Sequence, residues 1–146
     1  MREIEFRGKS VNGEWYYGLL SISQGKSGQP KKGYYISNKA GMPWAYQIIP
    51  ETVGQYTGLK DNKRTKEHPK GQEIYEGDIL KISVDKDKVH NEWQKNIKPE
   101  FAEVSFNNFH WNCSKGKGKS LYNYSTIGFV IIEVVGNIYE NPELLN

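Results

Sequence analysis

The densest apolar stretch in this chain is Gly128–Ile132, resumed as Val134–Val135 after the lone charge Glu133. A stretch of that length suits a buried strand and falls far short of the roughly 20 residues a membrane-spanning helix needs. The other apolar segments are also short, and Gly, Pro or Asn-Gly steps separate them. With 15 Gly, 10 Tyr and 4 Trp, the chain is suited to short strands joined by turns, because aromatic and β-branched side chains fit a pleated, half-buried surface. Its 146 residues match one domain, residues 1–146. A domain of that size buries roughly 70% of its unfolded surface and needs neither metal nor disulfide.

Residues 2–7 alternate, with Ile4 and Phe6 on one face and Glu3, Glu5 and Arg7 on the other, the period of a half-buried strand. Asn12-Gly13 predicts a type I′ turn, with Glu14–Ile22 returning as the second strand. Further strands are expected over Gly33–Ser37, Tyr46–Ile49, Val53–Leu59 and Phe109–Asn112. Ile79–Val84, Phe101–Phe106 and Phe129–Val135 should supply the central strands. Asn38–Gly41 reads as a turn, and Lys60–Gln72 and Ser114–Lys119 as charged loops. Val89, Trp93 and Ile97 recur every fourth residue and predict one helix within Asp85–Glu100, ended by Lys98-Pro99. Leu144 and Leu145 should dock on the body. The expected fold is mainly β: a bent antiparallel sheet or partly open, SH3-like β-barrel with at most one or two short helices.

The chain has one cysteine, Cys113, so no internal disulfide can form, which fits a reducing cytoplasm better than a secreted setting. The charged, alternating start lacks the apolar segment of a signal peptide. No membrane partner is expected. A net charge of +3 does not by itself imply nucleic acid, but its distribution is uneven. Lys60, Lys63, Arg64, Lys66 and Lys70 form one basic cluster, and Lys115, Lys117 and Lys119 another, with Phe109, Trp111, Tyr122 and Tyr124 near the second. Lysines beside exposed aromatics bind single strands by counterion release and base stacking. Lys63, Arg64, Lys66, Trp111, Lys115, Lys117 and Lys119 are therefore candidate nucleic-acid contacts. The plainer reading makes the aromatics core and the lysines solubilising.

Chemistry-bearing sets are sparse. Glu76 and Asp78 are two apart, so a regular strand would point both carboxylates one way, as a divalent cation or acid–base pair requires. The plainer reading is a bend at Gly77 with Asp78 bonding the turn. His110 and Cys113 have H-x-x-C spacing, with His68 and His90 elsewhere, but structural zinc usually wants several thiolates. No serine elbow, phosphate-binding loop or dinucleotide fingerprint occurs, and no cofactor is expected.

Ile74-Tyr75-Glu76-Gly77-Asp78 recurs, altered, as Ile138-Tyr139-Glu140-Asn141-Pro142. Three segments, two of them containing these echoes, together resemble the YopX family of phages and prophages of low-GC bacteria. The first is Arg2–Gly8 with Trp15 and Gly18. The second is Ile49–Asp61, completed by Glu73–Ile79, and the third is Glu133–Leu145. Relative to that pattern, Asn62–Gln72 is a longer basic insertion, and Asp85–Pro99 is enlarged. The resemblance implies a β-rich fold and a mobile-element setting in a bacterial host, and it brings no catalytic residues. The expected role is a non-enzymatic accessory protein working through protein–protein contacts with a host or phage protein, as a homo-oligomer. The alternative is a nucleic-acid binder using loops 60–70 and 115–119. Least favoured is a metal-dependent enzyme using Glu76 and Asp78.

Overall fold

Gly13 shapes the first hairpin. The Ser10 N–H donates to Glu14 O at 2.8 Å and the Gly13 N–H to Ser10 O at 3.0 Å, enclosing three loop residues. Only Gly13 takes a left-handed φ, +86°, while Asn12 does not. The turn is thus the three-residue kind closed by a glycine, rather than the type I′ turn that Asn-Gly suggests. The structure is a computed structural model that describes residues 3–37, 42–108, 110–113 and 120–146. The turn expected at Asn38–Gly41, the loop Ser114–Lys119 and Phe109 lie outside the described residues.

The strands are β1 (Phe6–Lys9), β2 (Trp15–Ser23), β3 (Gly33–Ser37), β4 (Tyr46–Ile48), β5 (Gly54–Lys60), β6 (Glu73–Tyr75), β7 (Asp78–Val84), β8 (Glu100–Asn107), β9 (His110–Cys113) and β10 (Val130–Asn137). They form two antiparallel sheets, and neither closes into a barrel among the described residues. The helices are short: α1 (Glu92–Lys95) and α2 (Leu121–Ser125). No helix among the described residues is long and apolar enough to cross a membrane. The chain divides into two compact units, Met1–Gly58 and Leu59–Asn146.

In the first unit the strand order is β4-β3-β2-β1-β5. Tyr35, Ile36, Ile48 and Tyr56 are its buried apolar side chains. Gly8 admits Ile48: a Cβ at Gly8 would stand 2.3 Å from the Ile48 Cδ1. The alternation over residues 2–7 runs opposite to expectation. Ile4 is exposed, and Glu5 and Arg7 are buried. The strand begins only at Phe6, and the Arg7 guanidinium lies over the Trp15 ring, 5.0 Å from its centroid. Its apolar stem and cation–π contact let a charged side chain cover apolar surface.

In the second unit the order is β10-β7-β8-β9. Ile74, Leu80, Ile82, Ala102, Val104, Cys113, Leu121, Val130 and Ile132 make one contiguous core. The densest apolar segment, β10, is an edge strand and not a central one; β7 and β8 are central. The helix expected over Asp85–Glu100 reduces to a 3₁₀ turn at Lys86–Lys88 and the single turn α1. Val89 is extended (φ −120°, ψ 137°) and buried, whereas Trp93 is 71% exposed. The every-fourth-residue pattern has no core to face, and Asn91 starts the helix late by accepting the Trp93 N–H at 2.9 Å. Leu144 and Leu145 are half-buried in a terminal 3₁₀ turn, as expected of docking residues.

Candidate functional site

The basic loop between β5 and β6 is closed at its neck and pinned along one side. The Asp61 N–H donates to Gln72 O at 2.8 Å, and the Gln72 N–H returns to Asp61 Oδ1 at 2.8 Å. Gly71 has φ +89°, and a Cβ there would stand 2.1 Å from Asp61 O, so the neck requires glycine. Within the loop, Thr65 and His68 bond each other's backbone and hydroxyl, with the His68 N–H donating to Thr65 Oγ1 at 3.0 Å. The Gly71 N–H donates to His68 O at 3.0 Å.

The pin is a set of bonds to the outer edge of β10. Asn62 Nδ2 donates to Val130 O at 2.8 Å, Asn62 Oδ1 accepts the Ile132 N–H at 2.7 Å, and the Asn62 N–H donates to Ile132 O at 3.2 Å. Asp61 Oδ2 accepts the Val134 N–H at 3.1 Å. Two residues thus satisfy four outward backbone groups of an edge strand that would otherwise offer itself for pairing.

Lys63, Arg64 and Lys66 stand on this loop and are exposed, together with Lys70. Arg64 Nη1 donates to Asp61 O at 3.0 Å, which folds the guanidinium over the neck. Among the described residues Lys63, Lys66 and Lys70 have no ion pair, whereas Lys60 faces Glu73 at 3.9 Å. Trp111 sits apart from the loop on β9. It is half-buried against the second core and meets Phe106 edge-on, centroids 4.9 Å apart at 63°. Lys115, Lys117 and Lys119 lie outside the described residues.

Of the acids flanking Gly77, Asp78 holds a turn. Asp78 is 1% exposed and its Oδ2 accepts the Tyr75 N–H at 2.8 Å, while Glu76 is half-buried. His110 Nδ1 lies 2.9 Å from Asn108 O, and Cys113 is fully buried. Among the described residues no three His, Cys, Asp or Glu side chains gather as a metal cage would need.

One surface that residue-by-residue reading missed is on β2. Tyr17 is 47% and Leu19 59% exposed, while Ile22, three residues on from Leu19 in unbroken register with β3, is exposed on the opposite face. Trp15–Leu20 is apolar throughout, and a strand with one covered face leaves the alternate side chains of such a run outside. That continuous run is the signal that could have found the surface.

The two echoed segments meet in space. Asn137 on β10 pairs with Asp78 on β7, and the Ile138 N–H donates to Gly77 O at 2.9 Å. A Cβ at Gly77, where φ is +84°, would stand 3.2 Å from the Tyr139 ring. A family model described as "YopX protein" matches residues 5–146. The chain belongs to the YopX family. No curated protein and no solved structure matches it.

In this YopX-family chain the segments that carry the likeness are joints of the fold. Gly18 has φ +153°, and a Cβ there would overlap Ser37 O at 1.9 Å. At Gly136 a Cβ would stand 2.4 Å from Asn141 Oδ1, whose side chain accepts the Asn137 N–H. Asn137 Oδ1 in turn accepts the N–H groups of Tyr139 and Glu140, both at 3.0 Å. The Tyr-Glu segments of this YopX-family chain are therefore turn chemistry packed turn against turn.

Proposed function

We propose that this protein is a non-enzymatic accessory protein of a phage or prophage. It acts in the host cytoplasm through protein–protein contacts and self-associates. The observation that supports this reading is the exposed apolar pair Tyr17 and Leu19 on β2. Large apolar side chains grouped on one strand of a sheet are the anchors of protein interfaces. The buried acids favour a structural role, since Asp61 and Asp78 spend their carboxylates on backbone N–H groups. Light scattering on the purified chain tests the assembly. A mass that stays monomeric at high concentration would remove self-association, and Leu19→Lys should shift an oligomer toward monomer without unfolding it.

The outward-turned cations of the loop 61–72 support a second reading, binding of nucleic acid. Binding to DNA or RNA that weakens steeply with salt is its expected sign.

A further inference from the structure

We infer that the closed loop Asp61–Gln72 is a preorganised platform for the phosphodiester backbone of nucleic acid, with Lys63, Arg64, Lys66 and Lys70 as its cations and the uncharged Asn62 as its positioning residue. This rests on the second reading above and gives it a place and a mechanism.

The loop sorts its charges by side. Both carboxylate oxygens of Asp61 are turned inward, onto the Gln72 and Val134 N–H groups. Glu73 lies by Lys60. That leaves Lys63, Arg64, Lys66 and Lys70 facing solvent with Glu67 as the only exposed acid between Lys63 and Gly71. Opposite charges evenly interspersed over a surface serve solubility; here four exposed cations face one exposed acid, a net positive loop that attracts a polyanion.

The loop is also held. Asn62 makes three hydrogen bonds to the backbone of β10, and the neck closes through Asp61, Gly71 and Gln72. Cations on a tethered loop lose less conformational freedom on binding than cations on a free one. The ligand class follows from what the loop lacks. Lys60–Gln72 contains no Phe, Trp or Tyr and no apolar side chain beyond Pro69. A folded acidic protein would find no anchor to fill a pocket, whereas a phosphate chain needs only fixed positive charge.

The test is fluorescence anisotropy of the full chain with a short labelled random-sequence DNA, single-stranded and duplex, across a salt series. The triple variant Lys63→Ala, Lys66→Ala, Lys70→Ala should lower the slope of log affinity against log salt by about 2 to 3. Asn62→Ala should weaken binding several-fold at fixed salt while keeping the wild-type slope, because every charge remains and only the ordering cost rises. Circular dichroism melts accompany each variant, and the exposed lysines carry the test if Asn62→Ala unfolds. No binding to DNA or RNA at low salt overturns both this inference and the reading beneath it. Binding that ignores the triple variant overturns the platform alone. Equal competition by poly-glutamate overturns the assignment to nucleic acid, and unchanged affinity in a folded Asn62→Ala overturns its positioning role.

Discussion

The two units of this chain solve the same problem with different means. The second, Leu59–Asn146, surrounds nine buried core residues with an edge sealed by two polar side chains. The first, Met1–Gly58, buries few large apolar side chains, includes Glu5 and Arg7 among its buried residues, and leaves Tyr17, Leu19 and Ile22 outside. The contrast teaches where stability and recognition reside. A contiguous apolar core with a covered edge is a finished structure. A sheet with aromatic and aliphatic side chains left on its surface is suited to contact something else.

The largest effect should come from breaking the core of the second unit. Ile132→Ala or Leu80→Ala, both essentially unexposed, should cost about 2–5 kcal/mol in denaturant unfolding. Tyr17→Ser or Leu19→Lys in the first unit should stay within about 0.5 kcal/mol. Equal costs at both places would erase the comparison. Next are the steric glycines. Gly18→Ala places a Cβ on the Ser37 carbonyl at left-handed φ and should destabilise by more than about 1 kcal/mol, read as a lowered melting temperature. Asn62→Ala opens the edge of β10 and should cost about 1–3 kcal/mol for the backbone groups it leaves to water or to none.

The smallest effect sharpens the comparison at the surface of the first unit. The Tyr16 hydroxyl donates to Glu14 Oε2 at 2.6 Å, and its ring stacks on Tyr46 at 3.8 Å. The hydrogen bond to Glu14, with lesser help from desolvation and the Glu14 charge, raises the Tyr16 pKa above the ordinary phenol value of 10.0. A group whose folded pKa is raised contributes its stability below the unfolded value and loses it as pH climbs through the folded one. Stability should therefore decline above pH 10 through Tyr16, and Tyr16→Phe should remove that part of the alkaline loss. An ultraviolet titration of tyrosinate showing one fewer late-titrating phenol in Tyr16→Phe would check it; identical curves would refute it.

Much of the strand layout was legible because period-2 alternation and Gly or Pro punctuation are local. Gly33–Ser37 is a strand over the expected residues, and Tyr46, Ile79–Val84 and Phe101–Phe106 fall within strands as read. The inverted face of residues 2–7 was not legible. Alternation shows that two faces differ, but which one is covered depends on Trp15 lying over Arg7. The false helix at Asp85–Glu100 failed for the same reason: spacing describes a stripe and says nothing of whether a core meets it. At the candidate site, the sequence showed the basic cluster of Lys63, Arg64 and Lys66. It could not show that Asp61 and Asn62 pin that cluster to β10, because the bonded residues lie about seventy positions apart in the chain.

The sequence alone determined that this is a β-rich chain with short strands, glycine-dependent turns and the signature segments of the YopX family. Turn geometry and strand propensity act over a few residues, so they can be read from a few residues. Only the tertiary structure decided that the densest apolar strand lies at an edge, that the two Tyr-Glu echoes pack against each other at Gly77 and Tyr139, and that the basic loop is closed and tethered. Each depends on hydrogen bonds and contacts between residues far apart in sequence, whose partners are chosen by the packing of the whole sheet.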